Sequence, residues 1–255
     1  MRLVQLTKPA GLDATVRLRP MTGQDELLVT GTEPDSAFSL LRRLAANGHG
    51  RPLDFSQLTV SQVDRLLAGL YIKLYGELAE CRVRCRFCGE GFEFTLRLSE
   101  LIAAQDADRP QPAEPDGAWT LPDKRRVRAP MLEDINSADD PESLLARLVV
   151  SGDPSVDPDM VVDFLERAAP VLTLDLSANC PHCGREQIAR FDLTRYFARR
   201  LVGERSFLLR EAHLIAAHYG WSYQEIMLLS RDERRAYAGL IETERASASH
   251  RGRKR

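Results

Sequence analysis

The sequence lacks the features of a membrane protein or a secreted one. No segment reaches the roughly 18 uninterrupted apolar residues that a membrane span requires. The opening Met1–Pro9 has neither an apolar stretch of about 7–15 residues nor a small-residue cleavage site, so it predicts no secretory signal. We therefore expect a soluble cytoplasmic protein, or one that is incorporated into a particle assembled in the cytoplasm.

A large net charge of either sign is also missing. The 255 residues carry a formal net charge of −2, with 35 Lys and Arg against 37 Asp and Glu. This balance excludes bulk electrostatic attraction to nucleic acid as the main activity, so nucleic acid is not an expected partner. Only His250–Arg255 forms a basic block, and we predict a disordered basic tail over 247–255.

Familiar catalytic and phosphate-binding motifs are absent from the sequence. It contains no Gly-x-x-x-x-Gly-Lys-Ser/Thr loop, no Gly-x-Gly-x-x-Gly turn opening a helix and no Gly-x-Ser-x-Gly elbow. The carboxylates fall mostly on solvated helix faces or in helix caps. We predict that the protein is not an enzyme and takes no small-molecule substrate.

Cysteine is scarce, yet four of the five cysteines form two Cys-x-x-Cys-Gly motifs, Cys85–Gly89 and Cys180–Gly184. Each motif lies between two segments that alternate apolar and polar residues, the pattern of half-buried strands. Such a turn directs both sulfurs at one point, and four thiolates complete the tetrahedral coordination of zinc. The sequence therefore predicts one structural zinc ion bound by Cys85, Cys88, Cys180 and Cys183.

Three other interpretations of the cysteines stay open. A redox pair would sit at a helix N-terminus, whereas both motifs run into a strand. An iron–sulfur cluster also uses four thiolates, and the two pairs could bind nothing. We predict that Cys81 is a small core residue and that His182 is exposed.

The same plan of elements occurs twice in the chain. Ser39–Gly48 and Ser143–Gly152 share Ser, Leu, Leu, Arg, Leu and Gly at matching positions, and the final Gly of each predicts a helix C-cap. Each is preceded by Pro-Met, at Pro20-Met21 and Pro130-Met131. A second amphipathic helix follows in each copy. Its N-cap is Thr59 or Ser61 in the first copy and Asp157, followed by Pro158, in the second.

This repetition predicts an α+β fold. The predicted fold is a split zinc ribbon of two related helix–strand–knuckle–strand halves, followed by a C-terminal helical region. The expected boundaries are 1–105 for the first half, 106–120 for a linker, 121–200 for the second half and 201–246 for the helical region. Chance similarity between two amphipathic helices is the alternative to a true duplication.

The C-terminal region contains two capping boxes, Ser222–Glu225 and Ser230–Glu233, and Gly220 ends the helix before them. Its density of aromatic and aliphatic side chains exceeds what one short buried face needs. We expect Trp221 and Ile226 to pack internally. The predicted partner-binding residues are Tyr223, Met227 and Leu228.

The order of these parts resembles a family from contractile-tailed phages and phage-derived contractile injection systems, the baseplate hub assembly proteins, which act as chaperones. The two knuckles, His218–Ile226 and Leu229–Tyr237 carry the resemblance, which covers about residues 15 to 242. It implies a non-enzymatic assembly factor or small structural component, with baseplate or hub proteins as partners. Some members lack cysteines, so zinc would belong to a subset.

A zinc-ribbon protein that binds nucleic acid or acts as a regulator is the alternative. It would use the basic tail together with the arginines around the first knuckle, Arg82, Arg84 and Arg86.

Overall fold

The computed structural model describes residues 2–5, 15–111 and 116–252, with side chains for 15–111 and 116–247. The strands are β1 (Arg2–Gln5), β2 (Thr15–Leu18), β3 (Ala45–Ala46), β4 (Leu78–Arg84), β5 (Gly91–Arg97), β6 (Trp119–Thr120), β7 (Arg126–Val127), β8 (Val149–Ser151), β9 (Thr173–Asn179) and β10 (Glu186–Asp192). The helices are α1 (Gly23–Leu27), α2 (Pro34–Leu44), α3 (Val60–Tyr75), α4 (Leu98–Ala107), α5 (Leu132–Ser137), α6 (Pro141–Leu148), α7 (Pro158–Ala168), α8 (Leu193–Gly203), α9 (Arg205–Tyr219), α10 (Tyr223–Leu228) and α11 (Arg231–Gly252), with a 3-10 turn at Phe55–Gln57.

Helices and small antiparallel sheets are mixed along the chain, which is compatible with the predicted α+β class. Two sheets are hairpins, β4 with β5 and β9 with β10, and two have three strands in the orders β1-β2-β3 and β6-β7-β8. None of the described helices combines the length and apolar character that a membrane crossing needs.

The chain divides into two compact units. The terminal unit comprises Leu18–Ala45 and the described part of Thr194–Arg255, and the central unit comprises Ala46–Leu193 with the described part of Arg2–Arg17. Leu18–Ala45 thus groups with the C-terminal helices, although it lies in the first of the two predicted halves. The central unit holds both cysteine motifs.

The element order repeats as the sequence predicts. The series β2-α1-α2-β3-α3-β4-β5-α4 is followed by β7-α5-α6-β8-α7-β9-β10-α8. Each series begins with the same arginine–carboxylate fork. Arg19 donates to Asp25 at 2.6 and 2.7 Å, and Arg128 donates to Asp134 at 2.6 and 2.7 Å. The Arg128 guanidinium lowers the pKa of Asp134.

These forks correct the alignment of the two copies. Because Arg19 matches Arg128, Met21 corresponds to Pro130, so the two Pro-Met pairs are one position out of register. The backbone N–H of Thr22 bonds to Asp25 at 2.9 Å, and the N–H of Met131 bonds to Asp134 at 2.8 Å. The structural match therefore rests on the fork and not on the shared dipeptide.

The helices that precede β3 and β8 end differently from the prediction. Helix α2 ends at Leu44 because Ala45 is extended, and α6 ends at Leu148 because Val149 is extended. The carbonyl groups of Leu44 and Leu148 accept hydrogen bonds from Arg19 N and Arg128 N, at 3.1 and 3.0 Å. Strand pairing therefore ends these helices, and the prediction of glycine C-caps at Gly48 and Gly152 is wrong.

Helix α11 repeats a contact that α3 makes. The N–H of Val60, the first residue of α3, bonds to Pro130 O at 2.9 Å in the central unit. In the terminal unit the N–H of Arg231, the first residue of α11, bonds to Met21 O at 2.8 Å. Since Pro130 corresponds to Met21, the two helix starts occupy matching places on the two copies. Both helices start with capping boxes: Ser230 forms the one that the sequence predicts, and Thr59, one of the two predicted N-caps of α3, forms another with Gln62.

The predicted linker and tail are partly ordered. Helix α4 continues to Ala107, and Trp119 is buried in the core of the central unit, where its ring meets Phe164 edge-on at 5.9 Å. Trp119 therefore belongs to the folded unit. Helix α11 continues to Gly252, so most of the predicted disordered tail is helical, while 253–255 lie outside the described residues. The linker ends before Trp119 because this ring has partners in the core. The predicted tail is mostly helical because α11 continues through it.

The second copy covers one face of α3. Ser61 Oγ donates to Pro170 O at 2.6 Å, and Leu172 N donates to Asp64 Oδ2 at 2.7 Å. Asp64 is only 6% exposed, and this burial raises the pKa of its carboxyl group to about 6. The contact joins the two copies within the central unit.

The raised pKa of Asp64 predicts a pH-dependent stability. Between about pH 4 and pH 6 the unfolded chain ionises at Asp64 while the folded chain keeps it protonated, so stability falls as pH rises. Relative to an Asp64→Asn variant, the free energy of unfolding of the natural protein should fall by on the order of 2 kcal/mol across this window. Urea unfolding at a series of pH values measures the difference.

Asp163→Asn, at an exposed carboxylate on α7, is the matched control and should leave the pH profile unchanged. Parallel profiles for the natural protein and Asp64→Asn would contradict the assignment of the raised pKa.

Candidate metal centre

The two cysteine motifs form two closely similar turns. Each closes one hairpin of the central unit, β4–β5 or β9–β10. The N–H of the first cysteine bonds across the turn, from Cys85 to Glu90 O at 2.9 Å and from Cys180 to Arg185 O at 3.0 Å. Gly89 and Gly184 have φ values of 77° and 71°, a left-handed conformation that L side chains resist. The glycine after each pair is thus required by its backbone angle.

The four sulfurs of these turns converge. Cys85 Sγ lies 3.7 Å from Cys183 Sγ, Cys88 Sγ lies 3.7 Å from Cys180 Sγ, and all four lie within 4.8 Å of one another. A disulfide would bring two sulfurs to about 2.05 Å. A tetrahedral ion with metal–sulfur bonds of about 2.3 Å separates its ligands by about 3.8 Å. The four cysteines are therefore positioned to hold a metal ion.

Single-ion binding fits these separations better than an iron–sulfur cluster does. In a cluster the cysteines bind different iron atoms around a core of several atoms. Sulfurs within 4.8 Å of one another leave space between them for one ion. Redox chemistry of the thioredoxin kind has no support either, because each motif leads into a strand and neither starts a helix.

The protein environment differs between the two cysteines of a pair. Cys85 and Cys180 are buried beside Phe92, whereas Cys88 and Cys183 are exposed. The backbone N–H groups of Cys88 and Phe87 lower the pKa of the Cys85 thiol to about 6. The N–H of Glu90 lowers the pKa of Cys88, but partial desolvation and the neighbouring thiols outweigh it and raise that pKa to about 12. Cysteine binds a metal as the thiolate, so metal binding at these turns releases thiol protons.

Three contacts that the sequence did not reveal also join the hairpins. Arg86 N donates to Gln187 Oε1 at 3.1 Å, and the Arg86 side chain donates to Ile188 O at 3.3 Å. The Arg185 guanidinium lies 5.0 Å from the centre of the Phe87 ring, in a cation–π contact. Gln187 is buried, and its place in the alternation of β10, on the same face as Ala189 and Phe191, is the sequence signal that could have indicated it.

The remaining residues near the turns lie outside the sulfur cluster. Cys81 is half-buried, burial raises the pKa of its thiol, and it is not among the four converging cysteines. His182 is exposed, as predicted. Arg82 bonds to Glu93 at 2.8 Å and Arg84 bonds to Gly89 O at 2.8 Å. The three arginines of the first knuckle are therefore engaged within the chain.

The predicted partner-binding residues differ in exposure. Tyr223 and Leu228 are 50% and 62% exposed, and their role at a partner surface stays a prediction. Met227 is 1% exposed, because its side chain packs against Gly23 within the terminal unit, so it is not available to a partner. Ile226 is buried, and Trp221 packs against Tyr237 with ring centres 5.1 Å apart. Internal packing of these last two residues agrees with the prediction.

Comparison with known proteins identifies no relative: no family model, no curated protein and no solved structure matches the chain. The fold and the site therefore define only a class, an α+β protein with a cluster of four cysteines that can hold a metal ion.

Replacing a cluster cysteine should remove the metal and destabilise the central unit. We expect Cys85→Ser and Cys180→Ser to lose metal binding and to lower the free energy of unfolding by several kcal/mol, because structural metal ions contribute strongly to folding. Elemental analysis and urea unfolding measure the two effects. Cys81→Ser is the matched control and should keep the metal. Equal metal content in all three variants would contradict the assignment.

Proposed function

We propose that the metal is zinc and that it is structural. The donor set supports this, since four thiolates in tetrahedral arrangement suit zinc and leave no coordination position for water or substrate. The two short hairpins supply little apolar surface of their own, so one ion shared by both turns would hold them together. In this proposal the hairpins form a split zinc ribbon, in which Cys88 and Cys180 are 92 positions apart in the sequence.

The wider proposal is a non-enzymatic assembly factor, or a small structural component, of a phage-like contractile-tail baseplate. The non-enzymatic part of this proposal is supported by the arrangement of the four thiolates, because a metal ion with all four positions filled by cysteine has none free for catalysis. The baseplate assignment rests on the sequence resemblance. The cytoplasm, where assembly would take place, keeps thiols reduced and available to a metal.

The C-terminal segments that carry the resemblance, His218–Ile226 and Leu229–Tyr237, contribute helix caps and ion pairs within the terminal unit. Gly220 ends α9 in a left-handed conformation, and Ser222 and Ser230 form capping boxes with Glu225 and Glu233. Arg231 and Arg234 are nearly fully buried, and both pair with Glu26 of the terminal unit. The exposed side chains Tyr223 and Leu228 remain for contact with a baseplate or hub protein.

A zinc-ribbon protein that binds nucleic acid is the alternative function. The exposed Arg82, the exposed Phe87 ring and Arg185 beside it are features that nucleic-acid surfaces use. The internal hydrogen bonds of Arg82, Arg84 and Arg86 and the balanced net charge count against it. Binding to DNA or RNA that weakens steeply with salt would favour this alternative.

The identity of the metal is directly testable. Protein purified in reducing buffer should contain about one zinc per chain, with four sulfur ligands at about 2.3 Å by X-ray absorption. Iron in place of zinc, or folded and reduced protein without any metal, would overturn the zinc proposal.

The partner proposal predicts a specific loss of binding. We expect the protein to co-purify with a baseplate or hub protein encoded beside its gene, and Leu228→Asp to weaken that complex at least about tenfold by removing an exposed apolar contact. Val156→Asp, at a side chain 54% exposed in the central unit, is the control. Size-exclusion chromatography with light scattering measures both.

Point variants are preferable to removal of the C-terminal helices. Truncation after Gly203 would delete Arg231 and Arg234 and leave the buried Glu26 carboxylate without these partners. A gene neighbourhood without tail proteins, together with no complex, would contradict the baseplate proposal.

A further inference from the structure

The second copy has an open apolar groove where the first copy is covered. Helix α7 repeats the buried stripe of α3, with Val161, Phe164, Leu165 and Ala168 in the places of Val63, Leu66, Leu67 and Leu70. The next face of α3 is closed by Pro170–Leu172. The corresponding face of α7 borders a groove of about 840 Å³ between α6, α7 and β9, within the central unit.

Residues at matching positions of α3 and α7 differ in solvent exposure. Asp64, a carboxylic acid, is 6% exposed on α3, whereas its counterpart Val162 is 43% exposed on α7. Ala68 is fully buried on α3, whereas its counterpart Glu166 is exposed. For the first pair, folding alone favours the opposite arrangement, with Val162 buried and the Asp64 carboxyl group in water. One exposed apolar side chain is ordinary, but Val162 lines the groove together with Leu144, Leu145 and Leu174, and a contiguous apolar patch is typical of a surface that binds another protein.

The groove has an apolar floor and an acidic rim. Leu144, Leu145, Leu165 and Leu174 contribute to the floor. Among the described residues, the rim carries Glu142, Asp159, Glu166 and Asp175 against one arginine, Arg190, which lies 3.7 Å from Asp175, so the rim keeps an excess of acidic groups. Acidic side chains dominate the surrounding segment too, because Arg147 is the only basic residue between positions 133 and 166. A ligand for this groove needs an apolar face flanked by positive charges.

The spacing of the groove residues indicates a helical ligand. Val162, Leu165 and Glu166 of α7 follow one another at i, i+3 and i+4, and they line the groove together with Leu144, Leu145 and Leu148 of α6. Two such ridges leave a channel into which the ridge of a third helix fits. We propose that this groove is the docking site for a basic amphipathic helix of a partner protein, held by apolar contact with the floor and by charge complementarity at the rim.

The proposal rests on the proposed function only in assuming that the protein acts by holding a partner. It places the contact in the central unit, separate from Tyr223 and Leu228. A peptide assay tests the groove without any baseplate protein. Groove binding and baseplate assembly can therefore succeed or fail independently of each other.

Two synthetic peptides of about 18 residues serve as probes. Both have leucine at i, i+3, i+4 and i+7, and one has lysine and the other glutamate at the remaining positions. We expect the full-length protein to bind the lysine peptide and not the glutamate peptide in fluorescence anisotropy. Val162→Arg, which places a bulky cation in the groove from an exposed position, should weaken binding at least about tenfold.

A pair of charge reversals separates the groove from the general acidity of the surface. Glu166→Lys and Asp163→Lys change the charge equally on the same helix, but only Glu166 lines the groove. Glu166→Lys should weaken binding several-fold more than Asp163→Lys does. Thermal unfolding of each variant confirms that the fold is intact.

Four results would overturn the proposal. They are no binding of either peptide, equal binding of both, equal effects of the two charge reversals, and full binding by a folded Val162→Arg variant. Self-association of the natural protein that Val162→Arg abolishes would also overturn it, because a second copy of the chain would then occupy the groove.

Discussion

Convergence of four sulfurs is the constraint on which the central unit depends. An isolated two-stranded hairpin is marginally stable in water, and the apolar cluster between the two hairpins has only Cys85, Phe92 and Cys180 as buried members. Sulfur–sulfur distances of 3.7 Å match the edge of a tetrahedron around a zinc-sized ion. A single ion at this point would bind two turns that are far apart in the sequence, and β4, β5, β9 and β10 extend from those turns.

One set of local interactions recurs at several places in the chain. The arginine–carboxylate fork starts both copies. In each unit the first N–H of a capped helix donates to a backbone carbonyl at a matching position, from α3 to Pro130 O and from α11 to Met21 O. Helix α7 cannot make this contact, because its first residue is Pro158, which has no N–H. Its preceding loop is instead held by Arg125, which donates to the carbonyl groups of Asp153 and Asp157 at 3.4 Å. The second copy is thus modified at the very helix that borders the open groove.

Interactions between near neighbours in sequence were predictable. The Cys-x-x-Cys-Gly turns, the Ser222 and Ser230 capping boxes and the Asp157-Pro158 helix start each involve residues a few positions apart, and all appear as expected. Predictions failed where a distant contact intervened. Hydrogen bonds from Arg19 and Arg128 end α2 and α6 before the glycines that were predicted to end them. Trp119, predicted to lie in a linker, packs in the core of the central unit. Met227, predicted to bind a partner, is buried against Gly23.

The local chemistry follows from the amino-acid sequence alone: four thiols in two closely similar turns, repeated amphipathic helices and a balanced charge. Each depends on residue type and spacing, which local sterics and hydrogen bonding convert directly into structure. Tertiary packing brings the four sulfurs within 4.8 Å of one another and covers one face of α3 while the matching face of α7 stays open. Those outcomes depend on contacts across more than 90 residues, such as Leu172 with Asp64, and no local pattern specifies which of two similar faces such a contact will cover.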